Sequence, residues 1–488
     1  MSDNEICTVR ALHDRFREAG VRRACIVVRD GDYRLFVDRQ EPQAPPLLPV
    51  LKQYLPPPGE WEHEAIFIGR PLREHPKNDR EVDSEIDTLF FAFVHDTQRG
   101  LAQGGLRLRD YARDYTETEA LKKLFEDGLR LAEGMTMKNA MADLWWGGGK
   151  GIIAETPELA SKIWPLKQDG DPDRTRLTEE SFYPPERERL FEAYGHFVSE
   201  IGGIYYTAAD MNTYGVDMLR VLRGTRFVTC LPKTAGGSAD PSPVTAEGVF
   251  RAIKAAWQIL EGTDSLRNVR VAVQGAGKVG QPLVMYLLAD GAEVWVGDKT
   301  GDEGKKALAT VLHMAEEAPG VDPARLHLIF AADDPDVILR QEVDVISPCA
   351  AGQTVNRESI LAFSDRVQLV CGAANNMLGD EDADAALLHE KRKCYVPDFV
   401  CNRMGIVNCA DEWMGFLADD SHAEVERVVA DVERIVRAWN EDKTPTLDTA
   451  RQMAFQRLAI PNPLERMKQR THKLLEHYLE QVVTVEGR

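Results

Sequence analysis

Several features that define large classes of proteins are missing from this sequence. No apolar run approaches the roughly 20 residues of a membrane-spanning helix, and the first residues, MSDNE, lack the basic and apolar regions of a signal peptide. Basic charge is scarce, because 79 Asp and Glu residues against 59 Lys and Arg give a net charge of −20. We therefore expect a cytoplasmic protein that binds neither a membrane nor a nucleic acid.

The cysteines and histidines form no recognisable metal-binding pattern. The eight cysteines include no CxxC pair, and the eleven histidines include no HExxH. We expect reduced thiols and no metal site. The chain has 488 residues, of which 43% are hydrophobic and 28% charged, a composition typical of a globular protein. This length is too great for a single core, so we expect at least two domains.

A glycine-rich stretch with two lysines is the most unusual segment of the chain. Lys138 and Lys150 lie twelve positions apart, and the second follows three glycines. A P-loop is excluded because Gly151, and not Ser or Thr, follows the lysine. Taken alone, GGGK favours a glycine-rich turn with a solvated lysine. A desolvated lysine would instead have a lowered pKa that suits catalysis, and both interpretations remain open at this point.

The N-terminal 62 residues are predicted to be an appendage to the main body. Two strand-like runs, 25–29 and 33–37, flank Asp30-Gly31-Asp32, which is typical of a β-hairpin. A proline-rich passage follows and resembles a linker.

Alternating and helical patterns continue after the linker. Apolar runs predict strands over 65–68 and 89–94, and a capping box at Thr116 begins a helix that leads into Met135. Residues 157–185 are polar and carry Pro165, Pro172, Pro184 and Pro185, so we predict a surface insertion there.

A second pattern begins near residue 269. The strand Val269–Val273 runs into Gly275, Gly277 and Gly280 at GxGxxG spacing, and a further strand ends at Asp298. Strand, glycine loop, helix and a strand with a terminal acidic residue together predict a Rossmann dinucleotide site. Asp298 should accept hydrogen bonds from ribose hydroxyls and repel a 2′-phosphate, which favours NAD over NADP.

Nine short motifs occur in the order in which one enzyme family carries them. They are Val94–Thr97, Gly104–Arg107, Met135–Lys138, Gly147–Lys150, Thr207–Asp210, Pro241–Thr245, Pro348–Ala350, Ala374–Asn376 and Asn402–Glu412. Between about residues 63 and 460 the chain resembles the glutamate/leucine/phenylalanine/valine dehydrogenases, and most of all their leucine/phenylalanine/valine branch. These oxidoreductases deaminate amino acids with NAD(P).

The resemblance implies an α/β fold of two domains. An α/β substrate domain would comprise residues 63–230 and be completed by C-terminal helices at 445–488. A Rossmann NAD-binding domain would comprise residues 231–444, with the active site in the cleft between the two. The family also forms homo-oligomers, so we expect one here.

The resemblance also assigns roles to individual residues. Lys138 would hold the substrate carboxylate, Lys150 would activate water, and Asp210 would exchange a proton with the amino group. Further substrate contacts are implied at Gln103, Gly104, Gly105, Met135, Ala208, Ile406 and Cys409. Cofactor contacts are implied at Thr245, Gly275, Gly277, Lys278, Val279, Gly280, Asp298, Ala350 and Asn375.

Several positions depart from the family pattern. Gln103 stands where glutamate enzymes have a lysine and leucine enzymes a leucine, and Cys409 stands where they have serine and valine. Both changes favour a small or moderately polar aliphatic amino acid as the substrate. Bulky or charged residues also replace small ones, and they could narrow the pocket or alter closure: Trp145, Trp146, Asn212, Arg403 and Met404.

The expected reaction is reversible, NAD-dependent oxidative deamination of an amino acid to a 2-oxo acid and ammonia. Glutamate dehydrogenase is the alternative within the same class. A non-catalytic NAD-binding regulatory homologue is the alternative from another class, suggested by Arg403-Met404 and by the N-terminal segment.

Overall fold

A computed structural model of the chain contains two compact units. It describes residues 8–38, 41, 43–74, 80–82, 86–166, 183–299, 301–330, 334, 336–414, 418–460, 465–480 and 484–486. The first unit comprises the described residues within 1–140, 144–239 and 460–488. The second comprises those within 141–143 and 240–459.

Strands predominate in the first part of the described chain, strands and helices alternate through its middle, and helices predominate near its end. The strands are β1 (Arg23–Arg29), β2 (Asp32–Val37), β3 (Ala65–Gly69), β4 (Leu72–Glu74), β5 (Arg80–Val82), β6 (Phe90–Asp96), β7 (Ala102–Arg109), β8 (Gly147–Ala154), β9 (Tyr205–Ala209), β10 (Arg270–Gln274), β11 (Glu293–Asp298), β12 (Leu326–Phe330), β13 (Val345–Pro348), β14 (Leu369–Val370), β15 (Cys394–Tyr395) and β16 (Thr484–Glu486). The helices are α1 (Val9–Glu18), α2 (Leu48–Lys52), α3 (Tyr111–Asp114), α4 (Glu117–Met141), α5 (Pro157–Ile163), α6 (Pro185–Glu200), α7 (Gly215–Gly224), α8 (Ser242–Glu261), α9 (Gly280–Ala289), α10 (Asp302–Glu317), α11 (Arg357–Ala362), α12 (Glu381–Glu390), α13 (Asp398–Cys401), α14 (Met404–Met414), α15 (Ala418–Arg437), α16 (Thr446–Leu458) and α17 (Glu465–Glu480).

The first unit contains a mixed eight-stranded sheet with the order β16-β2-β1-β3-β6-β8-β7-β9. The predicted hairpin is confirmed as β1 and β2, and Asp30 and Gly31 at its turn have φ of 54° and 76°, the left-handed values of a two-residue hairpin loop. However, β1 also pairs with β3. The segment that we expected to be an appendage is therefore part of the central sheet, because its apolar residues share one core with α4.

Helices cover both faces of this sheet. On one face, Phe125 of α4 packs edge-on against Phe91 and Phe93 of β6, with ring centroids 5.7 and 6.0 Å apart. On the other face, Phe90 packs against Tyr194 of α6 at 5.3 Å. Alternate residues of β6 thus face opposite helical layers, as the period of two in a strand requires.

The segment predicted to be a surface insertion is only partly on the surface. Its first residues form α5, which buries Leu159, Ala160 and Ile163. Trp164, directly after this helix, is 2% exposed. The prediction was wrong for 157–164, since an apolar stripe lies between the polar residues; residues 167–182 lie outside the described part of the chain.

The second unit is a parallel sheet with the order β12-β11-β10-β13-β14-β15. Numbered from β10, this is the 3-2-1-4-5-6 order of a Rossmann fold. The order reverses between β10 and β13, and ligands bind at the carboxyl ends of the strands at such a point. The Rossmann prediction is confirmed, although α16 belongs to this unit and not to the first, where we expected it.

Candidate active site

Lys150 lies in the middle of a buried strand. Every residue of β8 is buried, and Lys150 is 3% exposed. The isolated GGGK pattern favoured a turn with a solvated lysine, and this interpretation was wrong. The glycines permit close packing instead, because a Cβ on Gly104 would lie 1.7 Å from the carbonyl oxygen of Gly149, and one on Gly148 would lie 2.0 Å from Thr136 Oγ1 of α4.

The register of three parallel strands places the candidate residues on one face of the sheet. Gln103 of β7 is opposite Gly148 of β8, so Gln103 and Lys150 project to the same side. Gly105 is opposite Ala208 of β9, and a Cβ on Gly105 would lie 2.7 Å from Asp210 Cβ. The strands therefore bring together Gln103, Gly105, Lys150, Ala208 and Asp210.

Lys150 and Asp210 form an ion pair at the centre of this face. Arg107 of β7 adds a second cation, with its Nε 3.5 Å from Asp210 Oδ2 and its Nη1 2.7 Å from Asp127 Oδ2 of α4. Its place in the site was missed from the sequence. The signal was available, because 103, 105 and 107 alternate along one strand and share a face.

This packing alters both protonation equilibria. Burial lowers the pKa of Lys150, Asp210 opposes that change, and Arg107 adds to it. Burial by itself would raise the pKa of Asp210, but the positive charges of Lys150 and Arg107 outweigh it and lower this pKa to about 2. Asp210 is therefore a carboxylate at neutral pH, beside a lysine that gives up its proton more readily than a solvated one.

The backbone just after Asp210 is firmly held. Thr213 Oγ1 accepts a hydrogen bond from the Asp210 amide at 2.8 Å and donates to the Leu106 carbonyl at 2.9 Å. Asn212 has a φ of 61°, a left-handed value that glycine adopts readily and Asn tolerates. Its Nδ2 also donates to the Leu108 carbonyl at 2.9 Å. Asn in place of the family's glycine thus keeps the turn.

The second lysine lies on α4, across from the glycine strand. The helix continues through Met135 and Lys138 to Met141, and Lys138 is 8% exposed. Two residues before Lys138, the Oγ1 of Thr136 bonds His95 Nδ1 of β6 at 2.8 Å. Because Gly148 has no side chain, Thr136 approaches its backbone closely, and this contact sets the distance between α4 and the strand that carries Lys150.

Gln103 is buried but incompletely bonded. Its side chain is 1% exposed, and its Oε1 has no hydrogen-bond partner within the described residues. An unpaired buried amide oxygen costs about 1–3 kcal/mol. A group that donates to this oxygen would therefore be favoured at this end of the site.

The two tryptophans after α4 are accommodated by packing. The Arg99 guanidinium lies 4.4 Å from the centre of the Trp145 ring, and Trp146 stacks on Tyr206 of β9 at 5.6 Å. A Cβ on Gly100 would lie 2.2 Å from the Trp145 carbonyl oxygen. Both rings thus contact neighbouring side chains within the first unit.

In the second unit, the three glycines of the loop between β10 and α9 differ in the space that surrounds each of them. Gly275 has a φ of 106°, and a Cβ there would lie 2.9 Å from the Ala350 amide nitrogen at the neighbouring strand end. A Cβ on Gly280 would lie 1.9 Å from the Gly275 carbonyl oxygen, whereas one on Gly277 would meet nothing within 4 Å. The first and last glycines serve the turn itself, and Gly277 leaves open space beside the backbone.

Asp298 ends β11 beside this loop. Its Oδ2 accepts from the Ala276 amide at 2.6 Å, and its Oδ1 accepts from the Lys299 amide at 2.7 Å. Lys278 is half exposed and pairs with Asp240 at 3.4 Å. These contacts orient the carboxylate towards the loop at the carboxyl end of the strand.

The remaining candidates in this unit lie on or near helices. Thr245 lies inside α8, which begins at Ser242, and its hydroxyl donates to the Pro241 carbonyl at 2.8 Å. Asn375 Oδ1 accepts from Asn402 Nδ2 at 3.0 Å. Val279 precedes α9, and Ile406 and Cys409 lie on α14, where Cys409 is 3% exposed.

The side chains of Arg403 and Met404 are both buried against other residues of the second unit. The buried Arg403 guanidinium pairs with Asp431 of α15 at 2.6 Å. Met404 is fully buried against α8, where a Cβ on Gly248 would lie 2.6 Å from its Cγ. These departures from the family pattern therefore come with partners that hold them.

Two expected absences can be compared with the described residues. No group of three or more potential metal ligands occurs among them, and none of their helices has the length and apolar character that crossing a bilayer requires.

The profile of the Glutamate/Leucine/Phenylalanine/Valine dehydrogenase family matches residues 236–463, and that of the Glu/Leu/Phe/Val dehydrogenase dimerisation domain matches 85–163. The sequence is 34% identical to leucine dehydrogenase from Bacillus subtilis over 384 residues, which cover 79% of this chain and 90% of that protein. The chain belongs to this family. It is also 36% identical to valine dehydrogenase from Streptomyces albus over 367 residues, or 75% of this chain and 87% of that protein.

Solved structures of the family share the fold. L-tryptophan dehydrogenase from Nostoc punctiforme is 25% identical, with a TM-score of 0.56 over 85% of this chain and 98% of that one. The hetero-hexameric glutamate dehydrogenase from Thermus thermophilus is 23% identical, with a TM-score of 0.57 over 80% of this chain and 88% of that one. The protein is thus an amino-acid dehydrogenase, an oxidoreductase that acts on CH–NH2 groups with a nicotinamide cofactor. The non-catalytic alternative is not retained.

Proposed function

We propose that the protein catalyses reversible, NAD-dependent oxidative deamination of a small or moderately polar aliphatic L-amino acid to the 2-oxo acid and ammonia. The observation that carries the proposal is the buried Lys150–Asp210 pair on the face of the sheet that also bears Gln103 and Ala208. A lysine of lowered pKa beside a carboxylate is suited to proton transfer at neutral and alkaline pH.

The proposed roles divide the chemistry between three side chains. Lys138 holds the substrate carboxylate, and the backbone at Gly104-Gly105 lies beside it. Asp210 takes a proton from the substrate ammonium group, so that the free amine can be oxidised at Cα. Lys150, as the neutral amine, removes a proton from the water that attacks the resulting imine, and it returns this proton when ammonia leaves.

The cofactor supplies the hydride acceptor when it is bound. The open space beside Gly277 suits a pyrophosphate at the N-terminus of α9, and Val279 and Lys278 flank the same approach. Asp298 supports NAD over NADP, since its negative charge would repel a 2′-phosphate. Thr245, Ala350 and Asn375 are proposed to contact the nicotinamide end.

The side-chain pocket is proposed to be formed by Gln103, Met135, Ala208, Ile406 and Cys409. Gln103, unlike the lysine that glutamate enzymes have at this position, supplies no cation to pair with a glutamate side-chain carboxylate. Desolvation of that carboxylate without such a partner would cost a few kcal/mol. The unpaired Oε1 of Gln103 supports a substrate with a hydrogen-bond donor. The relatives act on leucine and valine, as their names state, which supports an aliphatic body for the substrate.

The test is a panel of amino acids with NAD and with NADP, followed by NADH or NADPH absorbance, and a panel of 2-oxo acids with ammonia in reverse. We expect turnover with small aliphatic amino acids and NAD. Preference for 2-oxoglutarate in the reverse direction would identify a glutamate dehydrogenase instead. Folded protein that turns over no amino acid would refute the proposal.

The assembled state is proposed to be a homo-oligomer. The matched dimerisation-domain profile and the hetero-hexameric relative support this proposal. Size-exclusion chromatography with light scattering measures the number of subunits directly.

A further inference from the structure

Arg187 of α6 is completely buried beneath the turn that follows Asp210. Its Nε and Nη2 both bond the carboxylate of Asp217 at 2.7 Å, and both side chains are 0% exposed. Nη2 also donates to the Asn212 carbonyl at 2.9 Å. One guanidinium thus connects a buried carboxylate on α7 to the backbone two residues after Asp210.

The two ends of the 157–185 segment complete this cluster. The Trp164 ring lies 4.2 Å from the Arg187 guanidinium carbon, close enough for a cation–π contact. Tyr183 donates its hydroxyl to Asp217 Oδ1 at 2.7 Å. We call Arg187, Asp217, Trp164 and Tyr183 the Arg187 cluster.

The turn itself needs support, because a residue other than glycine adopts a left-handed conformation at its centre. Asn212 is attached on one side by its Nδ2 bond to Leu108 of β7. On the other side its carbonyl accepts from Arg187. The shortest covalent path from Asn212 to the reacting carboxylate runs through Met211, so a shift of Asn212 is passed on to Asp210.

We propose that Arg187 is a positioning residue, and that the Arg187 cluster fixes Asp210 against Lys150 through the carbonyl of Asn212. Trp164 and Tyr183, near the two ends of the 157–185 segment, thereby support the turn that follows Asp210. Arg187 contacts neither Asp210 nor Lys150 in the described structure, so its effect is on their separation and not on the chemistry itself. The kinetic part of this inference rests on the proposed role of Asp210.

The pair Arg187→Met with Asp217→Asn removes both buried charges together, so neither is left unpaired. The side-chain amide oxygen that replaces the Asp217 carboxylate can still accept the Tyr214 amide hydrogen bond, which is 2.8 Å long, and methionine occupies the space under Trp164. The matched control is Arg22→Met with Asp38→Asn. This pair lies in the same unit, bonds at 2.9 Å and has a carboxylate that also accepts a backbone amide at 3.0 Å. Arg22 directly precedes β1 and Asp38 directly follows β2, and in the sheet β3 and β6 separate β1 from β8.

We expect kcat to fall about 10- to 100-fold in the test pair, because a displacement of about 1 Å has effects of this size. The KM for NAD should remain within about twofold. The rising limb of the pH profile should move to lower pH, since a more distant Asp210 raises the pKa of Lys150 less. The control pair should retain the wild-type kcat and profile.

Hydrogen exchange gives a readout that does not depend on turnover. Amide exchange in a peptide covering residues 206–216 should speed up about tenfold or more in the test pair and remain unchanged in the control pair. If the wild type turns over no amino acid, the proposed function fails, while the exchange comparison still tests the cluster. Unchanged exchange at 206–216, or a folded test pair with wild-type kcat and pH profile, would overturn the positioning role.

Discussion

The candidate ligand-binding surfaces of the two units consist of different kinds of chemical groups. In the first unit, buried side-chain charges carry the site, because Lys150, Asp210, Arg107 and Asp127 form a chain of ion pairs beside a glycine-rich strand. In the second unit, the loop of Gly275–Gly280 offers backbone and open space, and Asp298 is the acidic side chain beside it. The first surface depends on electrostatics and the second on shape.

This difference predicts how each unit responds to substitution. A buried charge that loses its partner affects both protonation and stability, so changes in the first unit should act on turnover and on its pH dependence. An added methyl group in the glycine loop changes shape alone, so changes there should act on cofactor affinity or on folding. Substitutions in both units test this division.

Lys150→Ala should have the largest effect. Loss of the proposed base is expected to lower kcat by about 1,000-fold. NAD affinity, measured by fluorescence titration, should remain near that of the wild type, because the glycine loop is untouched. The control is Lys52→Ala, which removes a lysine paired with Asp32 at 2.8 Å in the same unit. Turnover within tenfold of the wild type would contradict the role of Lys150.

Asp210→Asn should lower kcat by about 100-fold and also change its pH dependence. Because the neutral amine of Lys150 is the proposed base, activity should rise with pH through its pKa, which burial lowers. Asp210 opposes this lowering, so its removal should shift the rising limb to still lower pH. The measurement is kcat/KM for the amino acid across alkaline pH. A limb that stays in place, or moves to higher pH, would show that the two groups are not coupled in this way.

Two alanine substitutions in the glycine loop should separate shape from folding. Gly277→Ala should leave the thermal unfolding temperature unchanged, since its Cβ meets nothing within 4 Å, but weaken NAD binding by about tenfold. Gly280→Ala should lower the unfolding temperature, since its Cβ would lie 1.9 Å from the Gly275 carbonyl oxygen. Calorimetry and NAD titration of both variants measure the two effects. If both variants lost NAD affinity and thermal stability to the same extent, Gly277 and Gly280 would not have the different roles proposed for them.

Gln103→Leu should have the smallest effect, a change in preference among substrates. It removes a buried amide whose oxygen is unpaired within the described residues, so kcat/KM for leucine or valine should rise by about tenfold. Activity on polar amino acids should fall in the same variant. Gln103→Glu serves as a comparison that keeps the size of the side chain. An unchanged ratio of leucine to polar substrates would show that Gln103 does not contact the substrate side chain.

The sequence was most informative where a local pattern and its neighbours agree. The hairpin at Asp30-Gly31 and the βαβ unit around Gly275 could both be predicted, because turn residues, alternation and spacing are local signals. The family motifs also identified the lysines and the aspartate whose positions in the first unit the structure shows.

Features that depend on distant residues could not be predicted in the same way. Gly147–Lys150 looks like a turn until β6 and β7 lie on either side of it. The buried position of Trp164 depends on Arg187, and that of Arg403 depends on Asp431 of another helix. In each case the partner is remote along the chain, so no local pattern contains the contact.

Strand β8 has a consequence for the order of folding. Four of its first five residues are glycine, so it has little tendency to become a strand unaided. It is extended because β6 and β7 bond it from both sides, and Lys150 meets Asp210 only after β9 has joined β7. We therefore expect that a chain still folding exposes an ordinary solvated lysine. The buried lysine with its lowered pKa arises only when the sheet is complete.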